Sequence, residues 1–146
     1  MELNSVYNEL VNDHNMHPNN KREIENPTMT LRGVNPSCGD DITIELRIKD
    51  GVIEDAGFTG SGCAISQAST DMMIDDLIGR SKDEAEKLCK TFLGMIKGTE
   101  TDENALSELD DAIALRDISH MPARVKCAVL AWHTADDMLT KTEKTE

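Results

Sequence analysis

Aromatic residues are scarce in this chain of 146 residues, which contains one Trp, one Tyr and two Phe. Ile, Leu, Val and the eight Met must therefore supply most of the buried apolar surface. A chain of this length is typical of one compact domain and leaves no room for a second. We expect a single domain over residues 1–140 and a disordered tail over residues 141–146.

Long apolar runs are also missing, because no segment approaches the roughly 18 residues that a membrane-spanning helix requires. The stretch 1–7 lacks the basic start and apolar centre of a signal peptide. These two absences predict a cytoplasmic protein that does not bind membranes, in which thiols stay reduced. The four cysteines are then expected to be metal ligands, nucleophiles or buried residues, not two disulfides.

Basic residues are few, since 15 Lys and Arg stand against 28 Asp and Glu and give a net charge of −13. A surface of this charge repels phosphate backbones. Nucleic acid and anionic membrane are therefore disfavoured as partners. A protein that docks here is expected to present Lys or Arg.

The central part of the chain has the pattern of an antiparallel sheet. Ile42, Ile44, Leu46 and Ile48 alternate with polar residues, as in a half-buried strand. Asp50-Gly51 then suits a type I′ hairpin. Extended segments before and after, at about residues 27–34 and 52–58, complete a predicted sheet of three strands.

Helical patterns surround this sheet. Apolar residues at helical spacing from Leu3 to Val11 predict a first helix, which Pro18 and the asparagines around it end. The same spacing predicts further helices at residues 64–78, 82–97 and 122–139. Ser81 and Glu84 form a capping box at the start of the helix at residues 82–97. The polar segment between the last two helices is expected to be a loop with one or two brief helices. The fold class predicted is α+β, with a small antiparallel three-stranded sheet packed against helices.

Three segments place a cysteine at an irregular backbone or a helix start. They are Asn35-Pro36-Ser37-Cys38-Gly39-Asp40, residues 60–66 around Cys63, and residues 124–127 ending at Cys127. Cys38 and Asp40, two residues apart in an extended segment, point the same way and can bind one zinc ion together. Cys63 and Cys127 would complete a tetrahedron. The paired Cys-x-x-Cys of common zinc fingers is absent, so spacing alone equally allows separate, buried cysteines.

The motifs Asn-Pro-x-Cys-Gly-Asp and Gly-x-Gly-Cys-Ala-Ile-Ser, followed by a third Cys at the start of the last helix, carry a family resemblance. The chain resembles the IscU/NifU N-terminal group of iron–sulfur assembly proteins, and more closely its zinc-binding SufU branch. The resemblance extends over about residues 3–139. It implies the SufE/NifU/IscU-like fold.

The resemblance also implies a function. Cys38, Asp40, Cys63 and Cys127 would be the zinc ligands, and Cys38 would be the catalytic thiol. Cys38 would take persulfide sulfur from a pyridoxal-phosphate (PLP) dependent cysteine desulfurase of the SufS type. It would then pass the sulfur to downstream iron–sulfur assembly proteins. Arg124, three residues before Cys127 on the same helix face, is expected to support the site by offsetting negative charge.

Two departures from the scaffold pattern favour sulfur transfer. Lys126 stands where IscU scaffolds carry a His, and Met121–Lys126 does not keep their Leu-Pro-Pro-Val-Lys signature. The alternative is a scaffold on which an iron–sulfur cluster is assembled and transferred. A third possibility is an interaction module in which zinc is only structural.

The remaining cysteine and the four histidines carry no motif. Cys89 lies in a helical pattern beside Leu88 and is predicted to be a buried structural thiol. The histidines, at positions 14, 17, 120 and 133, are expected at the surface or at helix ends. Their spacing suggests no second metal site.

Overall fold

The computed structural model describes the backbone of residues 5–144 and the side chains of residues 8–140. Its elements follow the predicted order of a helix, three strands and further helices. In chain order they are α1 Ser5–Met16, β1 Met29–Asn35, β2 Asp40–Lys49, β3 Val52–Ser61, α2 Ala64–Leu77, α3 Lys82–Lys97, α4 Glu103–Ser107, a 3₁₀ segment Asp110–His120, and α5 Pro122–Lys144. The predicted α+β class is confirmed.

The three strands form one antiparallel sheet in the order β1-β2-β3. Ile42, Ile44 and Leu46 of β2 are completely buried, as their alternation predicts. Asp50 and Gly51 both have positive φ, 54° and 77°, which is what a type I′ hairpin requires. The β2–β3 hairpin therefore forms where the sequence predicts it.

The alternation expected along β3 is interrupted by a bulge. Arg47 pairs with Asp55 and Ile48 pairs with Ile53, so Glu54 is one residue more than the partner strand supplies. Val52 is consequently 39% exposed and Ile53 is fully buried, whereas unbroken alternation would place Val52 on the same face as buried Phe58. The backbone irregularity, not the side-chain pattern, decides which face each residue takes.

Helix α2 lies at the centre of the molecule and is buried on almost every side. It packs against α1 and α5, and its first turn follows the end of β3. Helix α3 has the predicted capping box, in which Ser81 N donates to Glu84 Oε1 at 3.0 Å and Glu84 N donates to Ser81 Oγ at 3.1 Å. Each helix is thus placed by a local sequence signal or by its apolar face.

Trp132 fixes α5 against two other helices. Its ring is fully buried and stacks on Phe92 of α3 with a centroid separation of 4.2 Å. Its indole N–H donates to Ser69 Oγ of α2 at 3.0 Å, and that hydroxyl donates to the carbonyl of Ala128 at 2.6 Å. Ala128 follows Cys127 directly, so this packing also sets the position of Cys127.

The first helix ends near Pro18, as predicted, whereas the last helix extends further than the sequence pattern indicated. Helix α1 ends at Met16, and α5 continues to Lys144 instead of ending at Leu139. Position 3 of the predicted first helix and positions 145–146 of the predicted tail lie outside the described residues. The disordered tail over residues 141–146 stays a prediction. Within residues 5–144, no helix is both long and apolar enough to cross a membrane.

Candidate metal centre

The four predicted ligand residues come from separate elements that meet at one end of the sheet. Cys38 lies in the turn that joins β1 to β2, and Asp40 is the first residue of β2. Cys63 is the N-cap of α2, and Cys127 lies in the second turn of α5. Residues far apart in sequence therefore share one location.

Three of these side chains converge closely. The ligand atoms of Cys38, Asp40 and Cys127 all lie within 4.8 Å of one another. Asp40 is completely buried and Cys127 is 3% exposed, whereas Cys38 is exposed. Two thiols and a carboxylate in this arrangement suit zinc, which accepts sulfur and oxygen ligands in tetrahedral sites.

Cys63 lies beside this set but is held differently. Its backbone N–H donates to Asp40 Oδ1 at 2.9 Å, and its Sγ accepts from the backbone N–H of Ser66 at 3.5 Å. It is not among the three residues whose ligand atoms all lie within 4.8 Å of one another. Cys63 is nevertheless close enough to contribute to the raised pKa of Cys127. The assignment of Cys63 as the fourth ligand stays a prediction.

Asn35, to which sequence reasoning assigned no role, lies behind the ligands. Its Nδ2 is 3.3 Å from Asp40 Oδ2 and 3.8 Å from Cys127 Sγ. The side chain is buried, so its donors are directed to ligand atoms and not to water. The sequence signal that could have identified Asn35 as a site residue is its position at the start of the first cysteine motif.

Gly62 leaves the space that the carboxylate of Asp40 occupies. A Cβ at Gly62 would approach Ser66 Oγ to 2.5 Å and Asp40 Oδ1 to 2.6 Å, closer than real contacts allow. The lack of a side chain at Gly62 therefore lets the end of β3 lie close to Asp40. This role is steric and goes beyond backbone flexibility.

Burial and neighbouring groups keep the free thiol of Cys127 protonated. Burial is the largest cause that raises the pKa of Cys127, and hydrogen bonds with Cys38, Asp40 and Cys63 raise it further. A metal bound here must therefore displace a proton from Cys127.

Arg124, the predicted supporting residue, is exposed on the first turn of α5. Lys126, two residues further along the helix, is also exposed. Neither side chain has a hydrogen bond or ion pair to another residue in the part of the chain that the structure describes. Both cations are thus free to face a bound anion or an incoming partner. The role of Arg124 at the site stays a prediction.

The predictions for the cysteine and the histidines outside the motifs had different outcomes. Cys89 is completely buried on α3, and burial raises the pKa of its thiol far above the usual range, as expected of a structural thiol. The prediction for His14 was wrong. Because α1 packs against α2, His14 lies in the interior beside Asp71 and is 4% exposed. The other three histidines, at positions 17, 120 and 133, are exposed.

Comparison with known proteins identifies the family of the chain. The family described as "NifU-like N terminal domain" matches residues 6–128. Relatives with 36% identity include the iron–sulfur cluster assembly scaffold protein IscU of Thermotoga maritima, over 99% of both chains. Another is the zinc-dependent sulfurtransferase SufU of Bacillus subtilis, also 36% identical, over 97% of this chain and 94% of that protein.

Solved structures show the same fold. The structure titled as a putative iron–sulfur cluster assembly scaffold protein for the SUF system from Fervidobacterium islandicum has a TM-score of 0.84 and 39% identity. It covers 92% of this chain and 96% of its own. A NifU-like N-terminal protein from Brucella abortus has a TM-score of 0.79 at 22% identity over 97% and 96% of the two chains, which supports the fold alone. The chain therefore belongs to the NifU-like N-terminal domain family of iron–sulfur cluster assembly proteins, which includes the IscU scaffolds and SufU.

Proposed function

We propose that this protein is a zinc-dependent sulfurtransferase of iron–sulfur cluster assembly, with Cys38 as the residue that accepts sulfur. The observation that carries the proposal is the difference in exposure among three converging ligands. Asp40 and Cys127 are buried, whereas Cys38 lies in an exposed turn and can be reached by another protein. An accessible thiol is the requirement for persulfide exchange.

Cys38, Asp40, Cys63 and Cys127 would hold the zinc ion. When bound, zinc stabilises the thiolate form of a cysteine and ties distant backbone segments together. Asn35 orients Asp40 and Cys127 through its amide group. Among the four, Cys38 is the exposed residue, and its Sγ is 3.9 Å from the carbonyl oxygen of Ala123. Cys38 can therefore move outward while the buried ligands stay in place.

The transfer itself needs no oxidant or reductant. The Cys38 thiolate attacks the outer sulfur of a persulfide on a PLP-dependent cysteine desulfurase of the SufS type. A new sulfur–sulfur bond forms on Cys38 as the sulfur–sulfur bond on the desulfurase breaks, and the electron pair leaves on the cysteine thiolate of that enzyme. Cys38 then carries the persulfide to a downstream assembly protein. We place this exchange in the cytoplasm, where thiols stay reduced.

The surface beside Cys38 suits a protein partner. Arg124 and Lys126 are exposed cations on a chain of net charge −13, and Val34, next to Asn35, is 47% exposed. Acidic groups near the reactive cysteine of a partner would pair with these two cations, whereas the acidic remainder of the surface favours Lys or Arg elsewhere on that partner. Arg124 is the better candidate for this contact, because its planar guanidinium can pair with a carboxylate through two hydrogen bonds.

The test is desulfurase turnover, followed as alanine release with cysteine as substrate and a reductant present. The wild type should stimulate turnover strongly, and Cys38→Ala should not. Cys89→Ala is the matched control, because Cys89 is a cysteine outside the site. Equal stimulation by wild type and Cys38→Ala at matched folding and zinc content would refute the assignment.

The second candidate is a scaffold that assembles and transfers an iron–sulfur cluster on the same ligands. It is favoured by the scaffold name of the Thermotoga maritima relative, which is as similar as SufU. Lys126 in place of the scaffold His argues against it. Protein produced and purified without oxygen decides between them, because a scaffold would carry iron and sulfide and a sulfurtransferase would carry zinc.

A further inference from the structure

A second cluster of ligand-type side chains lies where α1, α2 and the 3₁₀ segment meet. One nitrogen of His14, one carboxylate oxygen of Asp71 and one of Asp75 lie within 4.8 Å of one another. His14 is 4% exposed and Asp71 is completely buried, whereas Asp75 lies at the surface. The cluster thus has an interior and an opening to solvent.

Each of the three side chains is held by a further contact. Asp111 Oδ2 lies 3.0 Å from His14 Nε2, and Asp71 Oδ2 lies 2.7 Å from Nδ1. The backbone N–H of Asn20 donates to Asp71 Oδ1 at 2.8 Å, and its side-chain amide donates to Asp75 Oδ1 at 2.9 Å. These contacts hold Asp71 and Asp75 beside His14, and the Asp111 carboxylate orients the His14 ring. Metal sites commonly show this carboxylate–histidine–metal arrangement.

An unpartnered buried group lies next to the cluster. Asp76 is 7% exposed, and its Oδ2 is buried without a hydrogen-bond partner. The carboxylates of Asp75, Asp110 and Asp111 all act on it electrostatically, and Arg80 is the cation that offsets them. The exposed carboxylates of Asp75, Asp110 and Asp111 make this end of the cluster attractive to a cation.

We propose that His14, Asp71 and Asp75 form a second metal site, for a divalent ion that accepts one imidazole nitrogen and two carboxylate oxygens. Manganese(II), iron(II) and zinc(II) belong to this class. The Nδ1–H bond of His14 breaks as the metal–nitrogen bond forms, and the proton leaves to solvent. Two carboxylates and a neutral imidazole then neutralise the ion, while Asp111 keeps its hydrogen bond to Nε2. The site is separate from the cysteine cluster and does not depend on the proposed sulfur transfer.

The histidine spacing in the sequence suggested no such site because the residues of the cluster are far apart in the chain. His14 and Asp71 are 57 residues apart, and Asp111 is a further 40 residues along the chain. Only the packing of α1 against α2 and the 3₁₀ segment brings them together.

Manganese(II) is the probe, because carboxylate and imidazole bind it and thiolates select softer metals. The full-length, zinc-loaded protein is titrated with Mn²⁺, and free Mn²⁺ is followed by its electron paramagnetic resonance signal. The wild type should bind one equivalent at the cluster. Asp75→Asn should weaken this binding at least tenfold. Because Asp75 is exposed, this change does not threaten the fold. The matched control is Asp137→Asn, which removes one exposed carboxylate on α5.

A second measurement locates the ion in the wild-type protein. Mn²⁺ well below one equivalent should broaden the ring proton signals of His14 and leave those of His133 sharp. His14→Gln identifies the His14 signals. Absence of bound Mn²⁺, equal affinity in Asp75→Asn and Asp137→Asn, or equal broadening of both histidines would overturn the proposal. His14 would then be a charged bridge between Asp71 and Asp111.

Discussion

The backbone N–H of Cys63 donates to the carboxylate of Asp40 at 2.9 Å. This bond joins the first turn of α2 to the first residue of β2, so two candidate ligands are fixed relative to each other by the protein alone. One oxygen of Asp40 is occupied by this contact, and the other faces Asn35. The protein itself therefore orders part of the site before any metal binds.

Asn35→Ala should weaken zinc binding by about 10- to 100-fold, the usual effect of removing a group that orients a ligand. The reason is that Asp40 Oδ2 and Cys127 Sγ lose the only side-chain amide placed next to both among the described residues. Competition with a chromophoric chelator measures the affinity. Asn12→Ala, an exposed change on α1, is the control and should leave zinc affinity unchanged.

Gly62→Ala should lower zinc affinity because the new Cβ displaces Asp40. Gly79→Ala is a suitable comparison. Its φ of 89° makes alanine strained, at a cost of about 1–2 kcal/mol, but nothing lies within 4 Å of the new Cβ. Thermal unfolding and zinc content are measured for both variants. Gly79→Ala should lose stability and keep its zinc, and the same zinc content in Gly62→Ala would contradict the steric argument.

Alkylation should rank the four cysteines by exposure and by metal protection. In metal-free folded protein, iodoacetamide should modify exposed Cys38 first, and Cys89 should stay unmodified because it is buried and its pKa is raised by burial. Zinc should slow modification of Cys38, Cys63 and Cys127 and leave Cys89 unaffected. Peptide mass spectrometry gives each rate. If zinc protected Cys38 and Cys127 but not Cys63, the fourth ligand would have to be sought elsewhere.

Asp76 should make the protein less stable as pH rises. Burial, with the nearby Asp110 and Asp75, raises the pKa of Asp76 from 3.8 to about 8. The folded state therefore holds the proton more tightly than the unfolded state. Stability falls between these two pH values and is independent of this group above them.

Asp76→Asn replaces the protonated carboxyl by a neutral group of similar shape. The melting temperature of the variant minus that of the wild type should increase as pH rises toward 8. Above that pH the difference should stay constant. The pKa of His14 is also raised, by Asp111 and Asp71 against the opposing effect of burial. Stability from His14 is lost as pH rises through that pKa. This contribution is present in both proteins and cancels in the difference. A difference that does not change with pH, as expected for the control Asp137→Asn, would refute the assignment to Asp76.

The features that could be predicted without a structure are those that depend on neighbouring residues in the chain. The β2 alternation, the Asp50-Gly51 hairpin and the Ser81–Glu84 capping box each involve residues within a few positions of one another. Their physical causes are local, so they can be inferred from spacing. The cysteine motifs belong to the same class, because the position of Cys38, Cys63 and Cys127 at a turn or a helix start follows from neighbouring residues.

Only the tertiary structure decided which distant groups meet. Asn35 contacts Cys127 across 92 positions, and His14 contacts Asp71 across 57. The helical pattern of α1 does not show that His14 lies in the interior, because that depends on the packing of α1 against α2. The β3 bulge likewise changed which side chains are buried, because backbone pairing with β2 overrides the period of two. The sequence alone thus determined the elements and the candidate ligands, whereas packing between elements decided their partners, burial and protonation, since these depend on groups far away in the chain.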